Sequence, residues 1–334
     1  MLQNFASGAV ALASEVIPEG LVDRYLSYKT GIGRIGKLTE FYQLHRQLRR
    51  ERFDAAAYLI MSERPEKHVL RDRLFFRSSG IKKLFGFHAI PAGELYPFET
   101  DGRPARSEHE AVFKLNRLGR DGVDWDAGVE LGTPMIDPRP AELKDVDAWL
   151  AERRERPNVP LISIGPGCKQ EVNAWALENF ESLGEKILAE LPCELIVIGG
   201  PSESDLGQKL VAAWGAGINA AGAFSVRQSA ALLSRCAFHV GLDTGTTHLA
   251  AAVGTRCFAI FGGRNNPGLW FPLGKGHTVV QHAVPCAPCR SLTCAVPGHP
   301  CMAGLTVDSV WESLREFVHE GATGRSSEVS VIAL

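Results

Sequence analysis

A carboxylate, three hydroxyls, a glycine and an imidazole fall within residues 243–248. They belong to the run Gly241-Leu242-Asp243-Thr244-Gly245-Thr246-Thr247-His248-Leu249-Ala250-Ala251-Ala252-Val253-Gly254. Such a set offers acceptors for the hydroxyls of a polyol and, through bare backbone N–H groups, donors for an anion. The run opens at the end of an apolar stretch (Ala237, Phe238, Val240), turns polar, and resumes as a Leu/Ala-rich helical pattern up to Gly254. A second apolar stretch follows, Cys257-Phe258-Ala259-Ile260-Phe261. The sequence reads as strand, tight turn, short helix, strand. It sets Asp243, Thr244 and Gly245 at the carboxyl end of a strand, the ligand edge of an open parallel sheet. The helix start adds unpaired N–H groups and a partial positive charge, which suit a diphosphate. Gly245 allows close approach to the backbone, and His248 lies one turn on, on the face of Thr244. The same residues also read as an Asp243 N-cap with His248 as a packed, hydrogen-bonded residue.

To position such a site the chain needs a parallel sheet, and its second half has the pattern for one. Apolar runs of strand length occur at 161–164, 194–198, 237–241, 257–261 and 278–280, with a weaker one at 218–221. Helical patterns fill the gaps at 177–191, 205–214, 225–236 and 246–253. Strands alternating with helices give a parallel sheet covered on both faces, a Rossmann-like domain. Gly165-Pro166-Gly167 and Gly199-Gly200-Pro201 both follow strands, so both corners open on the ligand edge. The first half is less regular. Helical spacing at Leu38, Phe41, Tyr42, His45 and Leu48 is followed by strands at 53–60 and 81–87. A helix at 109–118 places Ala111, Leu115 and Leu118 on one face. The turn-rich stretch from Gly132-Thr133-Pro134 to Asp137-Pro138-Arg139-Pro140 begins a linker, and a helix at 145–155 leads into the second domain. The domains expected are 1–140 and 155–320.

Composition sets the class. A chain of 334 residues is long for one core and suits two domains. With 45% hydrophobic and 22% charged residues it is of soluble globular type, and a net charge of -2 argues against a general nucleic-acid binder. No apolar run approaches the ~18 residues of a membrane span. The mildly apolar start from Met1 to Ala13 lacks the basic region of a signal peptide. Of the eight cysteines, Cys168, Cys193, Cys236 and Cys257 sit beside expected strands or turns and read as buried thiols. Reduced thiols fit a cytoplasmic protein better than a disulfide scaffold.

Four elements occur in order in the second half. The first is Gly165-Pro166-Gly167-Cys168-Lys169, followed by Trp175; the second is Gly199-Gly200 with Glu203 and Asp205. The third is the segment 243–254, and the fourth is Phe261-Gly262-Gly263 leading to Pro267-Gly268-Leu269-Trp270-Phe271-Pro272-Leu273-Gly274. With these the chain resembles glycosyltransferase family 9, the lipopolysaccharide heptosyltransferase family, over roughly residues 20–315. The resemblance is most specific at Asp243-Thr244-Gly245, His248-Leu249-Ala250-Ala251 and the Trp270, Pro272, Gly274 sequel. It implies an α/β protein of GT-B fold, with two Rossmann-like domains facing across a cleft and the nucleotide-sugar held mainly by the C-terminal one. It also implies inverting, metal-independent transfer from a nucleotide diphosphate donor, with no cofactor.

The physics suits that role, because a leaving diphosphate gathers negative charge that fixed donors and cations stabilise. Lys169 and the helix start at Thr244 and Gly245 would supply these, with Gly167 in the loop and His248 near the pyrophosphate. Asp243 is a poor neighbour for phosphate oxygens, so it is assigned to capping the helix and to the donor sugar hydroxyls. Glu203 reads either as a ligand of ribose or base, or as a surface carboxylate.

Two departures from the family stand out. Asn173-Ala174-Trp175 occupies a place where the family carries a basic residue before the Trp, a charge that Lys169 would take over. The family also opens with a strand and a Gly-Asp loop carrying the base. Phe53-Asp54-Ala55 comes too early in this chain to be that loop, and Gly31-Ile32-Gly33-Arg34-Ile35-Gly36 has no acid. The N-terminal domain is therefore expected to lack its first strand, with residues 1–20 packed as a helix over the gap or poorly ordered. A missing base puts about 10²–10⁴-fold in rate at stake. The competing reading is a non-catalytic or truncated nucleotide-sugar-binding homologue.

Cys286, Cys289, Cys294 and Cys301 cluster in one Pro-rich loop. Four thiolates make a tetrahedral metal site, but the spacings are loose, and no metal enters the expected chemistry. From His45 to Lys83 eleven Lys/Arg stand against five Asp/Glu. This excess reads either as attraction for an anionic glycolipid acceptor, with peripheral contact at the inner membrane, or as a solvated helix face.

Overall fold

The computed structural model describes residues 1–6, 12–30, 33–125, 136–323 and 329–334. Gly31 and Ile32, and the Gly132-Thr133-Pro134 start of the expected linker, lie outside the described residues. The chain divides into two units. One comprises Met1–Ser14, Glu19–Val129 and Asn266–Trp270, the other Glu15–Pro18, Glu130–Asn265 and Phe271–Leu334.

At the start of the chain, β1 (Leu2–Ala6) and β2 (Leu26–Thr30) pair in parallel, with Leu2 opposite Leu26, and α1 (Ala13–Val16) lies between them in sequence. Residues 2–6 are thus a strand, not the helix or unordered segment expected. Pairing with β2 satisfies backbone groups that would otherwise need other partners. Next comes α2 (Arg34–Glu51), which buries Leu44 and Leu48 and carries Arg49 and Arg50 in its last turn, where cations complement the helix dipole. β3 (Ala55–Ala57) and β4 (Lys83–Phe85) form a second parallel pair, shorter than the apolar runs suggest. Between them α3 (Glu66–Ser78) buries Val69 and Phe75, and the Phe75 ring packs on Phe41 of α2 at 4.1 Å. α4 (Ala92–Leu95) and α5 (Glu110–Gly119) follow.

The buried face of α5 is Glu110, Phe113 and Arg117, while Ala111, Leu115 and Leu118 are half-buried. Polar residues go deepest here because they satisfy backbone. Glu110 accepts from the Ser62 amide at 2.7 Å, and Arg117 donates to the carbonyls of His88 and Ile60. Residues 266–270 belong to this unit as well. Leu269 is buried with Ile90, Leu95, Tyr96 and Phe113, and the Asn266 amide donates to the carbonyls of Pro97 and Ala105.

The second unit is the regular one. Helix α6 (Pro140–Ala151) starts earlier than the pattern suggests, since Pro140 suits a first turn and the Glu142 carboxylate accepts from the Arg139 amide at 2.8 Å. Then come β5 (Leu161–Gly165), α7 (Leu177–Glu190), β6 (Glu194–Val197), α8 (Ser204–Trp214), β7 (Ile218–Asn219), α9 (Val226–Leu233), β8 (Phe238–Leu242), α10 (Gly245–Ala252) and β9 (Cys257–Phe261). The chain ends with β10 (Thr278–Gln281), α11 (Pro300–Ala303), α12 (Val307–Thr323) and β11 (Ser330–Ala333).

These seven strands form one sheet in the order β11-β10-β9-β8-β5-β6-β7, with every neighbouring pair parallel. Every residue of β5, β8 and β9 is buried, as expected for parallel strands covered on both faces. Alternate residues divide between two cores: Ile162 and Ile164 pack with Phe180, Leu183 and Phe317, whereas Leu161 packs with Val146, Leu232 and Ala250. Counted from β5, the order is that of dinucleotide-binding folds, 3-2-1-4-5-6, extended by one strand. The chain runs outward from β5 through β6 to β7, returns through α9, and runs the other way from β8. The reversal therefore falls between β5 and β8.

Gly184 on α7 shows how tightly the helices pack. A Cβ there would lie 2.2 Å from the Trp214 ring of α8, which is held by an Nε1 hydrogen bond to the Glu181 carbonyl at 2.9 Å. Gly184→Ala should lower stability by about 1–3 kcal/mol in urea unfolding. An unchanged midpoint would show that the ring gives way freely.

Candidate functional site

The site is built where the sheet reverses. All strands run parallel, so the carboxyl ends of β5, β6 and β8 share one edge. Gly165-Pro166-Gly167-Cys168-Lys169 leaves β5 there, Gly199-Gly200-Pro201 leaves β6, and Asp243-Thr244 leaves β8 into α10.

Thr244, not Asp243, is the N-cap of α10, with extended backbone at φ -145° and no side-chain cap bond. Its hydroxyl lies 2.9 Å from that of Thr246. The capping role assigned to Asp243 is thus corrected. The residue sits one position too early, and its carboxylate turns instead toward the loop after β5, where the Asn173 amide donates to it at 3.3 Å. His248 Nε2 stands 3.9 Å from the other oxygen of Asp243, so the sequence-assigned Asp243 and His248 do come together. The Asp243 side chain is 16% exposed and that of His248 35% exposed, both within reach of a ligand. A Cβ on Gly245 would meet nothing within 4 Å among the described residues, so no described side chain crowds this position.

Gly167 and Glu203 are explained by each other. A Cβ at Gly167 would run into the Glu203 carboxylate, and one at Gly199 would lie 2.4 Å from its Oε2. That Oε2 accepts from the Gly200 amide at 2.5 Å. Glu203 thus closes the corner between the ends of β5 and β6 with one oxygen committed. Beside it, burial pushes the Cys168 thiol above its ordinary range, and the charges of Glu203 and Asp243 push in the same direction. Lys169 is exposed on the same loop.

Asn173, met in the sequence only as part of the departing stretch Asn173-Ala174-Trp175, is the residue that holds Asp243. It is 4% exposed, lies in a short 3-10 turn (Glu171–Asn173), and its Oδ1 has no partner among the described residues. The signal was a lone amide between Val172 and the buried Trp175, whose indole N–H anchors the segment to the Leu305 carbonyl at 2.8 Å.

The fourth sequence element is divided. Residues 266–270 pack in the first unit, where Gly268 (φ +95°) passes so close to Ser107 that a Cβ would lie 2.4 Å from its carbonyl oxygen. Phe271 belongs to the second unit and meets Phe261 edge-on at 5.6 Å. The four clustered cysteines are not all in one loop. Cys301 is buried in α11, whereas Cys286 is exposed and Cys289 and Cys294 are half-buried. Among the described residues no group of three or more His, Cys, Asp or Glu is placed to hold a metal ion. Part of the basic stretch is neutralised locally, with Arg64 and Arg71 on Asp72 at 2.8 and 2.5 Å. Among the described residues no helix is long and apolar enough to cross a membrane.

The family model for glycosyltransferase family 9 (heptosyltransferase) matches residues 129–299. Among solved structures, the chain is similar to a family 9 glycosyltransferase from Veillonella parvula, with 15% identity and a TM-score of 0.61 over 90% of this chain and 83% of that one. It is likewise similar to the E. coli ADP-heptose lipopolysaccharide heptosyltransferase II, at 16% identity and a TM-score of 0.56, and to E. coli heptosyltransferase WaaC with ADP, at 15% and 0.54. Each of these two covers 90% of this chain and is covered over 85% of its own length. No curated protein sequence matches the chain.

If the Asn173–Asp243 contact ties the two loops, N173A and D243A should be coupled by about 0.5–1.5 kcal/mol in a double-mutant cycle read by urea unfolding. Additive losses would mean that the amide and the carboxylate stabilise the fold independently.

Proposed function

The chain belongs to glycosyltransferase family 9, the heptosyltransferase family of GT-B enzymes, and from that premise we propose that it transfers a heptose from a nucleoside diphosphate donor to an anionic glycolipid. The observation that carries the reading is the conjunction at the reversal of the sheet. An open helix start at Thr244 and Gly245 adjoins a carboxylate held by Asn173 and faced by His248.

The division of labour follows from charge. Phosphate oxygens are drawn to the free N–H groups at the start of α10 and to the ammonium of Lys169. Sugar and ribose hydroxyls, which donate hydrogen bonds, suit Asp243 and the uncommitted oxygen of Glu203. His248, one turn into α10, stands beside the bond to be broken. As the anomeric C–O bond to the diphosphate lengthens, negative charge grows on the leaving oxygens, and the same fixed dipoles then stabilise the transition state more than the ground state. The acceptor hydroxyl oxygen attacks the opposite face of the anomeric carbon as the bond to the diphosphate breaks, so configuration inverts, and the hydroxyl proton passes to a carboxylate between Asp23 and Glu110 acting as the base. Donors and a lysine do the work that a divalent cation performs elsewhere, so the reaction needs no metal.

Donor binding is assigned to residues 155–320 and acceptor binding to residues 1–140. The surplus of positive charge between His45 and Lys83 supports an anionic acceptor, recruited at a membrane surface. The structural relatives named for ADP-heptose and for bound ADP support adenosine as the donor nucleoside.

Calorimetry should show the full chain binding ADP with a Kd of about 1 mM or tighter, equivalent to about 4 kcal/mol or more. D243A should weaken ADP-heptose binding more than ADP binding, since its partner is the sugar. Equal losses for both ligands would remove the sugar contact from the account. Transfer from ADP-heptose should survive EDTA, and a loss of turnover restored by a divalent cation would contradict the metal-independent chemistry.

A further inference from the structure

Inside the sheet, directly beneath the strand ends that carry Gly165 and Asp243, lies an imidazole that none of the chemistry above uses. His239 is the second residue of β8 and is completely buried in an otherwise apolar strand, Phe238-His239-Val240-Gly241-Leu242. Its Nδ1 lies 3.0 Å from the Ser163 hydroxyl of β5, and its Nε2 lies 3.3 Å from the Thr247 hydroxyl of α10. The Thr247 hydroxyl donates its own hydrogen to the Leu242 carbonyl at 2.7 Å, so only a lone pair faces the ring. Nε2 therefore carries the ring proton and donates to Thr247, while Nδ1 accepts from Ser163, whose hydroxyl is nearer the ring than the Phe238 carbonyl at 3.4 Å. One neutral tautomer completes an ordered chain of bonds from β5 through β8 to the first turn of α10. Burial holds the imidazole at about 3, so it stays uncharged at any working pH.

Space has been cleared for this ring at both neighbouring strand ends. A Cβ at Gly165 would lie 2.8 Å from its Cε1, and one at Gly241 would lie 2.4 Å from its Nε2 and 2.7 Å from the Thr247 hydroxyl. These glycines serve the imidazole under the edge rather than a ligand above it. A leucine would fill the volume but donate nothing to the Thr247 hydroxyl, which would keep only its bond to the Leu242 carbonyl.

We propose that His239 is a positioning residue for the donor, a neutral strut that sets the height and rotation of the first turn of α10 against the ends of β5 and β8. Thr247 is the third residue of that helix, and the amides of Gly245 and Thr246 just ahead of it are those assigned to the diphosphate. A few tenths of an ångström at the strut become a comparable displacement of those donors, and electrostatic sites tolerate little of that. This inference rests on the donor site proposed above, and its test separates the two.

The experiment measures ADP binding by calorimetry in the full chain, for the unaltered protein and for H239L, H239Q, T247V and the H239L/T247V double variant. H239L should weaken ADP binding about tenfold, and H239Q, whose amide N–H reaches Thr247, should recover most of the loss. T247V, which also loses the bond to the Leu242 carbonyl, should weaken binding at least as much as H239L, and the double variant should be no worse than T247V, because the link from the imidazole is already broken there. Affinity should vary with pH between 6 and 9 in the same way for H239L and the unaltered chain. ADP affinity in folded H239L and T247V equal to that of the unaltered protein would overturn the inference, as would a changed pH dependence in H239L. Should H239L not fold, T247V and H239Q decide alone, and unchanged affinity in T247V overturns the inference. Failure of the unaltered chain to bind ADP would instead defeat the donor-site reading itself.

Discussion

Two adjacent parallel strands, β5 and β8, hand the chain on to opposite sides of the sheet. No loop can fill the edge between them, because the segment leaving β5 goes toward β6 and the segment leaving β8 goes toward β9. A crevice at that edge is a consequence of topology before any side chain is considered. The first Gly corner, the 3-10 turn with Asn173, the Asp243 carboxylate and the start of α10 border this place because no other point in the sheet brings two strand ends together without covering them. Holding it open requires a rigid frame beneath. In that frame β5, β8 and β9 are wholly buried between two separate apolar layers.

Charge at the edge is arranged with some economy. Two carboxylates, Asp243 and Glu203, stand close enough to raise the Cys168 thiol together with burial. Near a diphosphate this would be costly if both were free. One oxygen of Glu203 is taken by the Gly200 amide, and one of Asp243 by Asn173. What remains is a small number of directed acceptors beside a helix start that, among the described residues, has no side-chain cap bond. In the proposed function such an arrangement would distinguish hydroxyls from phosphate oxygens by position, with backbone dipoles that need no reorganisation during reaction.

Much of this was legible in the sequence, and the exceptions have a common cause. The run Cys257-Phe258-Ala259-Ile260-Phe261 gave β9 to the residue because a strand buried on both faces has no polar position to blur its ends. Asp243, Thr244, Gly245 and His248 could be placed together at one strand end from the sequence because a strand-to-helix transition is local. By contrast α3 was missed, since a stripe of Val69 and Phe75 is thin among so many charges, and β1 and β2 are short strands that mean little until paired. Asn173 and His239 escaped for a different reason. Their partners Asp243 and Ser163 are 70 and 76 residues away along the chain. A single polar residue within an apolar stretch signals that a partner exists without saying where. Glu203 and Gly167 show the same limit, since each is explained only by contact with the other.

The central claim is that the diphosphate of the donor is held at the reversal of the sheet by the start of α10. Backbone amide hydrogen exchange, with and without ADP, tests it most directly because it reads the very groups invoked. The account predicts slower exchange on ADP binding at Gly245 and Thr246 and in the loop from Gly167 to Lys169, with the amides of α2 and α3 unaffected. Protection confined to α2, α3 or the strands beside them, with the start of α10 exchanging as before, would contradict it.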